Sequence, residues 1–373
     1  MCAAGANLSE VYPVVGFEPV AGEGVYLHDR AGGRVLDLYG GHAVASLGYA
    51  HPRLTAAITR QADALLFQSN LVAVRVRDEA AERLAAFAPA ALSRVFFVNS
   101  GAEANENALR IALAATARST VVAMEHGFHG RTAAAAAVTW GAAGRWYGFP
   151  RPPFDVRFVP RNDLAALRTA VDGDTAAIII EPVQGVAGAF DFSPAFMTAT
   201  RELCDRYGAL LILDEVQTGV GRLGTPFGAD LFGVQPDLLT TAKGLGGGFP
   251  CAALLMTDAL AADLGAGAMG STFGGGPVAC AALLSRVRAM AALIESRCVC
   301  GPVTGTQGAG FLLGLKTAPR AARVRDALLE KGILTGTSAD PHVLRLLPPL
   351  ILEAQHVEEL ARALQELHSE TLQ

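Results

Sequence analysis

The feature that most constrains this chain is a repeated texture. Short runs of aliphatic and β-branched residues are each closed by a turn of small or polar residues and followed by a segment with helical spacing. Val95 to Val98 ends in Asn99-Ser100-Gly101 and leads into a helical pattern from Glu103 to Ala117. Val121 to Met124, Ala176 to Ile180 and Leu210 to Leu213 are further apolar runs, with the helical stretch Pro194 to Tyr207 between the last two. Strands this uniformly apolar have no wet face, and their alternation with helices predicts an α/β fold: a mostly parallel sheet covered by helices on both sides.

The flanks read differently. Residues 24–39 (GVYLHDRAGGRVLDLY) alternate and are split by Ala31-Gly32-Gly33, a hairpin pattern. Leu54 to Leu66 and Asp78 to Phe87 have helical spacing, and the glycine cluster at 266–277 reads as a loop. Beyond about residue 281, helical segments surround short strands at Gly310 to Leu315 and Val343 to Leu346. At roughly 150 residues per domain, 373 residues suggest two domains. We expect a large domain over 46–280 and a smaller α+β domain over 281–373, joined by the N-terminal segment 1–45.

Composition narrows the function classes. With 51% apolar and 17% charged residues, the chain can offset its ordering entropy and is not disordered. Its formal net charge of −5 argues against a general nucleic-acid binder. Met1 to Glu10 holds no Lys or Arg and no apolar core, so no signal peptide is read. The longest uncharged stretch, Leu264 to Ser285, is too rich in glycine to span a membrane. The cysteines at 2, 204, 251, 280, 298 and 300 form no CxxC pair and no zinc pattern. Cys298 and Cys300 are spaced as a redox pair could be, but free thiols in a reducing cytoplasm fit the set best.

Ligands in α/β sheets bind beyond the carboxyl ends of the strands, so the residues there carry the functional reading. Ser100-Gly101-Ala102 opens a helix and could cradle an anion on backbone N–H groups, or simply cap the helix. Glu125-His126-Gly127-Phe128-His129-Gly130-Arg131 offers a ring to stack on a flat ligand and a guanidinium fork for a carboxylate. His126 and His129 lack a carboxylate at helical spacing, so no metal is expected. Glu181 and Asp214 each end an apolar run, where a buried carboxylate needs a partner. Gly219-Val220-Gly221-Arg222-Leu223-Gly224 matches a dinucleotide fingerprint in letters only, because Asp214 to Thr218 separate it from the strand and Thr225-Pro226 follow it. Lys243, the only lysine between Met1 and the glycine run at 244–248, has no P-loop context. An amine isolated among apolar residues and glycines would have a lowered pKa, suited to imine chemistry.

Each element alone is weak. Together they supply what pyridoxal phosphate requires: an anion cradle, a stacking ring, a carboxylate for the ring nitrogen and an amine for the aldehyde. Their wording (NSGAEANENALRIA, FHGRT, EPVQG, ILDEVQTGVGR, TTAKGLGGGFP, GSTFGGGPVACAA) resembles the class III, fold type I aminotransferases. Within them it is most similar to the acetylornithine/succinylornithine group, from about Val11 to Pro349.

That resemblance implies roles. Lys243 would bond the cofactor aldehyde and shuttle the proton at the substrate carbon. Asp214 would hold the ring nitrogen, Gln217 the phenolic oxygen and Phe128 the ring face. Ser100, Gly101 and Ala102 would bind the phosphate, with Thr272 reaching it from a second subunit of a homodimer. Arg131 and Arg345 resemble the carboxylate clamps for N-acylornithine, 2-oxoglutarate and glutamate. Ser69, Asn70, Glu181 and Ser271 would also face substrate. The implied reaction moves an amino group between N-acetyl- or N-succinylornithine and 2-oxoglutarate, in arginine biosynthesis.

Three departures stand out. Val186 replaces a glutamate that pairs with the glutamate-binding arginine in many relatives. Ala102 replaces a threonine of the phosphate cradle. Gly274-Gly275-Gly276-Pro277 replaces GGNP. Alternatives to the leading reading are an ornithine- or 4-aminobutyrate-type ω-aminotransferase, an aminomutase-like enzyme, an NAD-dependent oxidoreductase using the Gly219–Gly224 segment, and a non-catalytic relative.

Overall fold

The structure, a computed structural model, describes residues 7–12, 14–281, 298–367 and 372. Cys2 and residues 282–297 of the expected C-terminal helical region lie outside the described residues. In chain order the strands begin with β1 (Pro19–Glu23), β2 (Tyr26–Asp29) and β3 (Arg34–Asp37). The middle of the chain supplies β4 (Arg94–Val98), β5 (Thr120–Met124), β6 (Asp155–Val159), β7 (Thr175–Ile180), the short pair β8 (Val183–Gln184) and β9 (Phe190–Asp191), β10 (Leu210–Asp214), β11 (Leu238–Thr241) and β12 (Ala252–Met256). The C-terminal part adds β13 (Val303–Ala309), β14 (Leu312–Thr317), β15 (Ile333–Leu334), β16 (Gly336–Thr337) and β17 (Val343–Leu346).

Seven strands form the central sheet in the order β4-β12-β11-β10-β7-β5-β6. The pairs β11/β10, β10/β7, β7/β5 and β5/β6 are parallel, and β12 alone runs against its neighbours. Because successive side chains point to opposite faces, each strand feeds two cores. Val122, Met124, Ile178, Ile180, Leu211 and Leu213 pack with Phe196, Met197 and Leu203 of the helix Pro194–Tyr207. Val121, Ala123, Ala177, Ile179 and Ile212 pack on the other side with Ala108, Leu109, Ile111 and Ala112 of the helix Gly101–Thr116. This is the helix-covered sheet that the apolar runs predict.

The ends of the chain build two smaller sheets. The expected hairpin is β2 against β3, with its turn held by Asp29, whose Oδ1 accepts from the N–H groups of Ala31 and Gly33 at 2.9 and 2.7 Å. β3 then pairs in parallel with β15, so N-terminal and C-terminal segments share one sheet. The other sheet runs β13-β14-β17-β16.

The strand expected at Gly310 to Leu315 begins only at Leu312. Gly310 occupies the hairpin turn between β13 and β14 at φ +56°, where a Cβ would press into the backbone of Arg222 and Leu223. β1, β6, β12, β13 and the two-residue strands β8, β9, β15 and β16 escape the sequence reading. β1 is mostly exposed, and β13 (VTGTQGA) carries too little apolar pattern to register.

Candidate active site

Five strand ends of the central sheet meet at one edge. β10 closes on Asp214, opposite Thr240 of β11, and Lys243 follows β11 after Ala242. On the other side of β10, Glu181 directly follows β7. The loop after β5 brings in Phe128 and Arg131, and the turn after β4 brings in Ser100, Gly101 and Ala102. Together they wall a cavity of about 470 Å³ that also touches Asn105, His129, Val186, Val216, Gln217 and Phe249. That volume falls within the range of small-molecule sites, roughly 300–1,000 Å³.

Asp214 is buried and ringed by donors. Asn105 Nδ2 donates to its Oδ2 at 2.7 Å, His129 Nδ1 lies 2.7 Å from the same oxygen, and the Val216 N–H donates to Oδ1 at 3.0 Å. Asn105 is itself fixed: its amide also donates to the His129 carbonyl, and its side-chain oxygen accepts from Thr240 Oγ1 at 2.7 Å. Burial works against charge on His129, but the hydrogen bond and the attraction of Asp214 outweigh it, so the imidazole pKa is raised. His129 therefore serves Asp214 rather than a metal.

Lys243 lines the cavity and is half-buried. Its backbone is left-handed, at φ +46°, an uncommon state for a side-chain-bearing residue that clusters at functional sites. Burial pulls the ammonium pKa down to about 8. The nearby carboxylates of Asp214 and Glu181 oppose that fall, and the cations Arg345 and Arg222 deepen it. The amine stays mostly protonated near physiological pH, but it gives up its proton far more readily than an ordinary lysine. Glu181 is raised to about 7, chiefly by burial. Its oxygens accept from the N–H groups of Phe128 at 2.9 Å and Gly185 at 3.3 Å, tying two cavity loops together.

At the start of the helix Gly101–Thr116, Ser100 Oγ accepts from the Glu103 N–H, while Glu103 accepts from the N–H groups of Asn99 and Ser100. This capping box leaves the N–H groups of Gly101 and Ala102 as first-turn donors without helical acceptors, facing the cavity where an anion is favoured. Gly101 has to be glycine here, because a Cβ would lie 2.7 Å from both methyls of Val216. Gln217 is buried in the wall, and its side-chain oxygen has no partner. That orphan, the ringed carboxylate, the recessed amine and the N–H cradle fit the ring, aldehyde and phosphate of pyridoxal phosphate.

The remaining candidates lie apart. Arg345, on β17, is buried behind the loop after β7, where it donates to the carbonyls of Thr337 at 2.7 Å and Gly185 at 3.3 Å. Ser69, Asn70, Ser271 and Thr272 do not line the cavity. Asn70 donates to the carbonyls of Ser271 and Gly274, and Asn99 Nδ2 donates to Ser271 Oγ. Arg222 is fully enclosed in the Gly219–Gly224 segment. It donates to the carbonyls of Pro348, Phe311 and Ala43, so the dinucleotide-like motif is a structural clasp.

Sequence reasoning passed over Asn105 and Val216, and it weighed His129 only as a metal ligand before setting that reading aside. Asn105 left a trace, since it is a polar residue one helical turn past Gly101 on an otherwise alanine-lined face.

The chain matches the aminotransferase class-III family over residues 10–296. The acetylornithine aminotransferase of Mycolicibacterium smegmatis is 41% identical over 361 residues, spanning 92% of each chain. That of Methanosarcina acetivorans is 38% identical over 360 residues, spanning 92% of this chain and 90% of its own. Among solved structures, the ornithine aminotransferase of Toxoplasma gondii, crystallised with partial occupancy of PLP, superposes with a TM-score of 0.90 at 28% identity, covering 98% of this chain and 93% of that one. With cavity, amine and carboxylate in the arrangement described, the chain belongs to the pyridoxal-phosphate-dependent class III aminotransferases.

Proposed function

We propose that this aminotransferase takes the amino group of N-acetylornithine, or its N-succinyl counterpart, to 2-oxoglutarate, giving the N-acylglutamate semialdehyde and glutamate. The observation that carries the transfer chemistry is a recessed primary amine and a donor-ringed carboxylate at neighbouring strand ends, opening on one cavity that also holds an arginine. The acyl-ornithine substrate rests on the relatives at 38–41% identity.

Asp214 would sit at the cofactor's ring nitrogen and Gln217 at its phenolic oxygen. Phe128 and Val216 would offer apolar faces, and the N–H groups of Gly101 and Ala102, beside Ser100, would hold the phosphate. When bound, the cofactor supplies an aldehyde to carry the amino group and a ring to accept the electron pair left on the substrate carbon. Lys243 Nζ, with its pKa drawn down, takes the proton from that carbon and returns it. Arg131 holds a substrate carboxylate at the cavity mouth. Arg345, held behind the wall by the carbonyls of Thr337 and Gly185, would take the carboxylate of glutamate on leaving one of them, and Val186 leaves it without the acidic gate of many relatives. Glu181 keeps the Phe128 and Gly185 loops in register, and the apolar walls exclude water from the exchange.

We infer a homodimer. Leu71 (91% exposed) and Phe273 (65% exposed) flank the Ser69, Asn70, Ser271 and Thr272 cluster, and the rings of Phe67 and Phe273 lie 5.2 Å apart. An apolar patch of this kind calls for a cover. A second copy would supply it and carry Thr272 to its neighbour's phosphate cradle.

The substrate test is a panel on the cofactor-loaded enzyme with 2-oxoglutarate as acceptor and acetylornithine, succinylornithine, ornithine and 4-aminobutyrate as donors. Acylornithines should exceed free ornithine by at least about tenfold in kcat/KM, roughly 1.4 kcal/mol of transition-state preference. Lys243→Ala should abolish turnover with all four. Preference for ornithine or 4-aminobutyrate would replace this reading with that of another ω-aminotransferase.

A further inference from the structure

The guanidinium of Arg131 meets rings rather than acids among the described residues. Its carbon lies 4.3 Å from the centroid of the Trp146 ring and 5.9 Å from that of Phe128, and the two rings stand 6.5 Å apart at 51°. Phe128 and Arg131 line the cavity, whereas Trp146 is not among its lining residues and meets it only through them.

Trp146 is nonetheless held firmly. The Ala142 carbonyl accepts from the N–H groups of Arg145, Trp146 and Tyr147, all at 3.0 Å. Tyr147 Oη donates to the Ala133 carbonyl at 3.0 Å, pinning the turn to the helix that follows Arg131. An indole fixed this way offers a face of negative potential, and a guanidinium stacked on it keeps its in-plane N–H edge free for a bidentate carboxylate.

We propose that Trp146 is a positioning residue. It stacks under Arg131, holds that otherwise exposed cation at the cavity mouth, and so sets affinity for the carboxylate that Arg131 takes. This rests on the reading of Arg131 as a carboxylate clamp, and it extends the site to a residue that contacts neither cofactor nor substrate. Trp146 acts on binding rather than on the reacting atoms, so its removal separates KM from kcat.

The experiment uses the cofactor-loaded enzyme with Trp146→Ala, Trp146→Leu and Trp146→Phe. Expected for Trp146→Ala is a KM for 2-oxoglutarate raised roughly five- to twentyfold, the size of a partly desolvated cation–π contact, with kcat within about twofold. Trp146→Phe should recover most of the loss and Trp146→Leu should not, since leucine restores volume without a π face.

A second readout needs no turnover. Trp140 packs on His126 and Phe158, and the chain holds 2 tryptophans, so in a Trp140→Phe background Trp146 is the sole indole. Glutarate, an unreactive dicarboxylate, should change its emission saturably, and Arg131→Ala should remove that response. An unchanged KM in Trp146→Ala, a rescue by leucine equal to that by phenylalanine, or a glutarate response that survives Arg131→Ala would each overturn the proposal. If no amino donor is turned over by the parent enzyme, the substrate assignment fails, while the glutarate titration still decides the Arg131–Trp146 coupling.

Discussion

At the scale of single residues, the site works through buried charges set against one another. Asp214 and Lys243 act on Glu181; Asp214, Glu181, Arg345 and Arg222 act on Lys243; and Glu181 acts on Arg345. Glu215, beside Asp214 but facing away from the cavity, shows the same physics in isolation. It is fully buried, accepts from the Ala229 N–H at 2.7 Å and from Thr218 Oγ1, and burial raises its pKa from 4.5 to about 7. Below pH 4.5 the folded and unfolded chains both hold this proton. Between 4.5 and 7 only the folded chain keeps it, so stability falls as pH rises through that window and levels off above it. Glu215→Gln should remove this dependence, gaining on the parent protein by up to roughly 3 kcal/mol between pH 5 and pH 8. Thermal melts of both proteins across that range test it, and parallel curves would refute it.

At the scale of elements, the strand-end turns do the positioning, and two of them interlock through a glycine. A Cβ on Gly185 would lie 1.6 Å from Gln217 Oε1, so the turn after β7 can pass the turn after β10 only without a side chain. Gly185→Ala should displace Gln217 and weaken pyridoxal phosphate binding by about tenfold or more, while leaving the melting temperature of the cofactor-free protein within a few degrees. Titration of the cofactor by absorbance, alongside that melt, decides between this and general unfolding. Much at this scale was legible in the sequence. The runs at Val121, Ala176 and Leu210 read as strands because every position in them is apolar. β1 and β13 did not, because their partners, not their own residues, make them strands.

At the scale of the whole molecule, distant segments are joined at a few points. Arg222 ties the loop after β10 to carbonyls at 43, 311 and 348, and β3 pairs with β15 across most of the chain. The exposed Leu71 and Phe273 are where the proposed second copy would add to these joints. The proposed dimer predicts that Leu71→Asp with Phe273→Asp gives monomers in sedimentation velocity and activity at least tenfold below the parent, because Thr272 would then be kept from a neighbouring cradle. A parent protein that already sediments as a monomer would remove the dimer from the account. Among the described residues, no helix is long and apolar enough to cross a membrane.

The sequence by itself determined the helix-covered sheet through its apolar periodicity and pointed to the family through the resemblance of its motifs, and it singled out Lys243 and Asp214 as the amine and carboxylate of the proposed site, because periodicity and the wording of strand-end turns are local properties. Only the tertiary structure decided what surrounds them. Asn105 and His129 converge on Asp214 from a helix and a loop far away in the chain. The cations Arg222 and Arg345 press on Lys243 from other segments, and Trp146 arrives beneath Arg131 by way of a turn. Such contacts follow from chain packing in three dimensions, and no spacing along the chain encodes the distance between two side chains that approach from different strands.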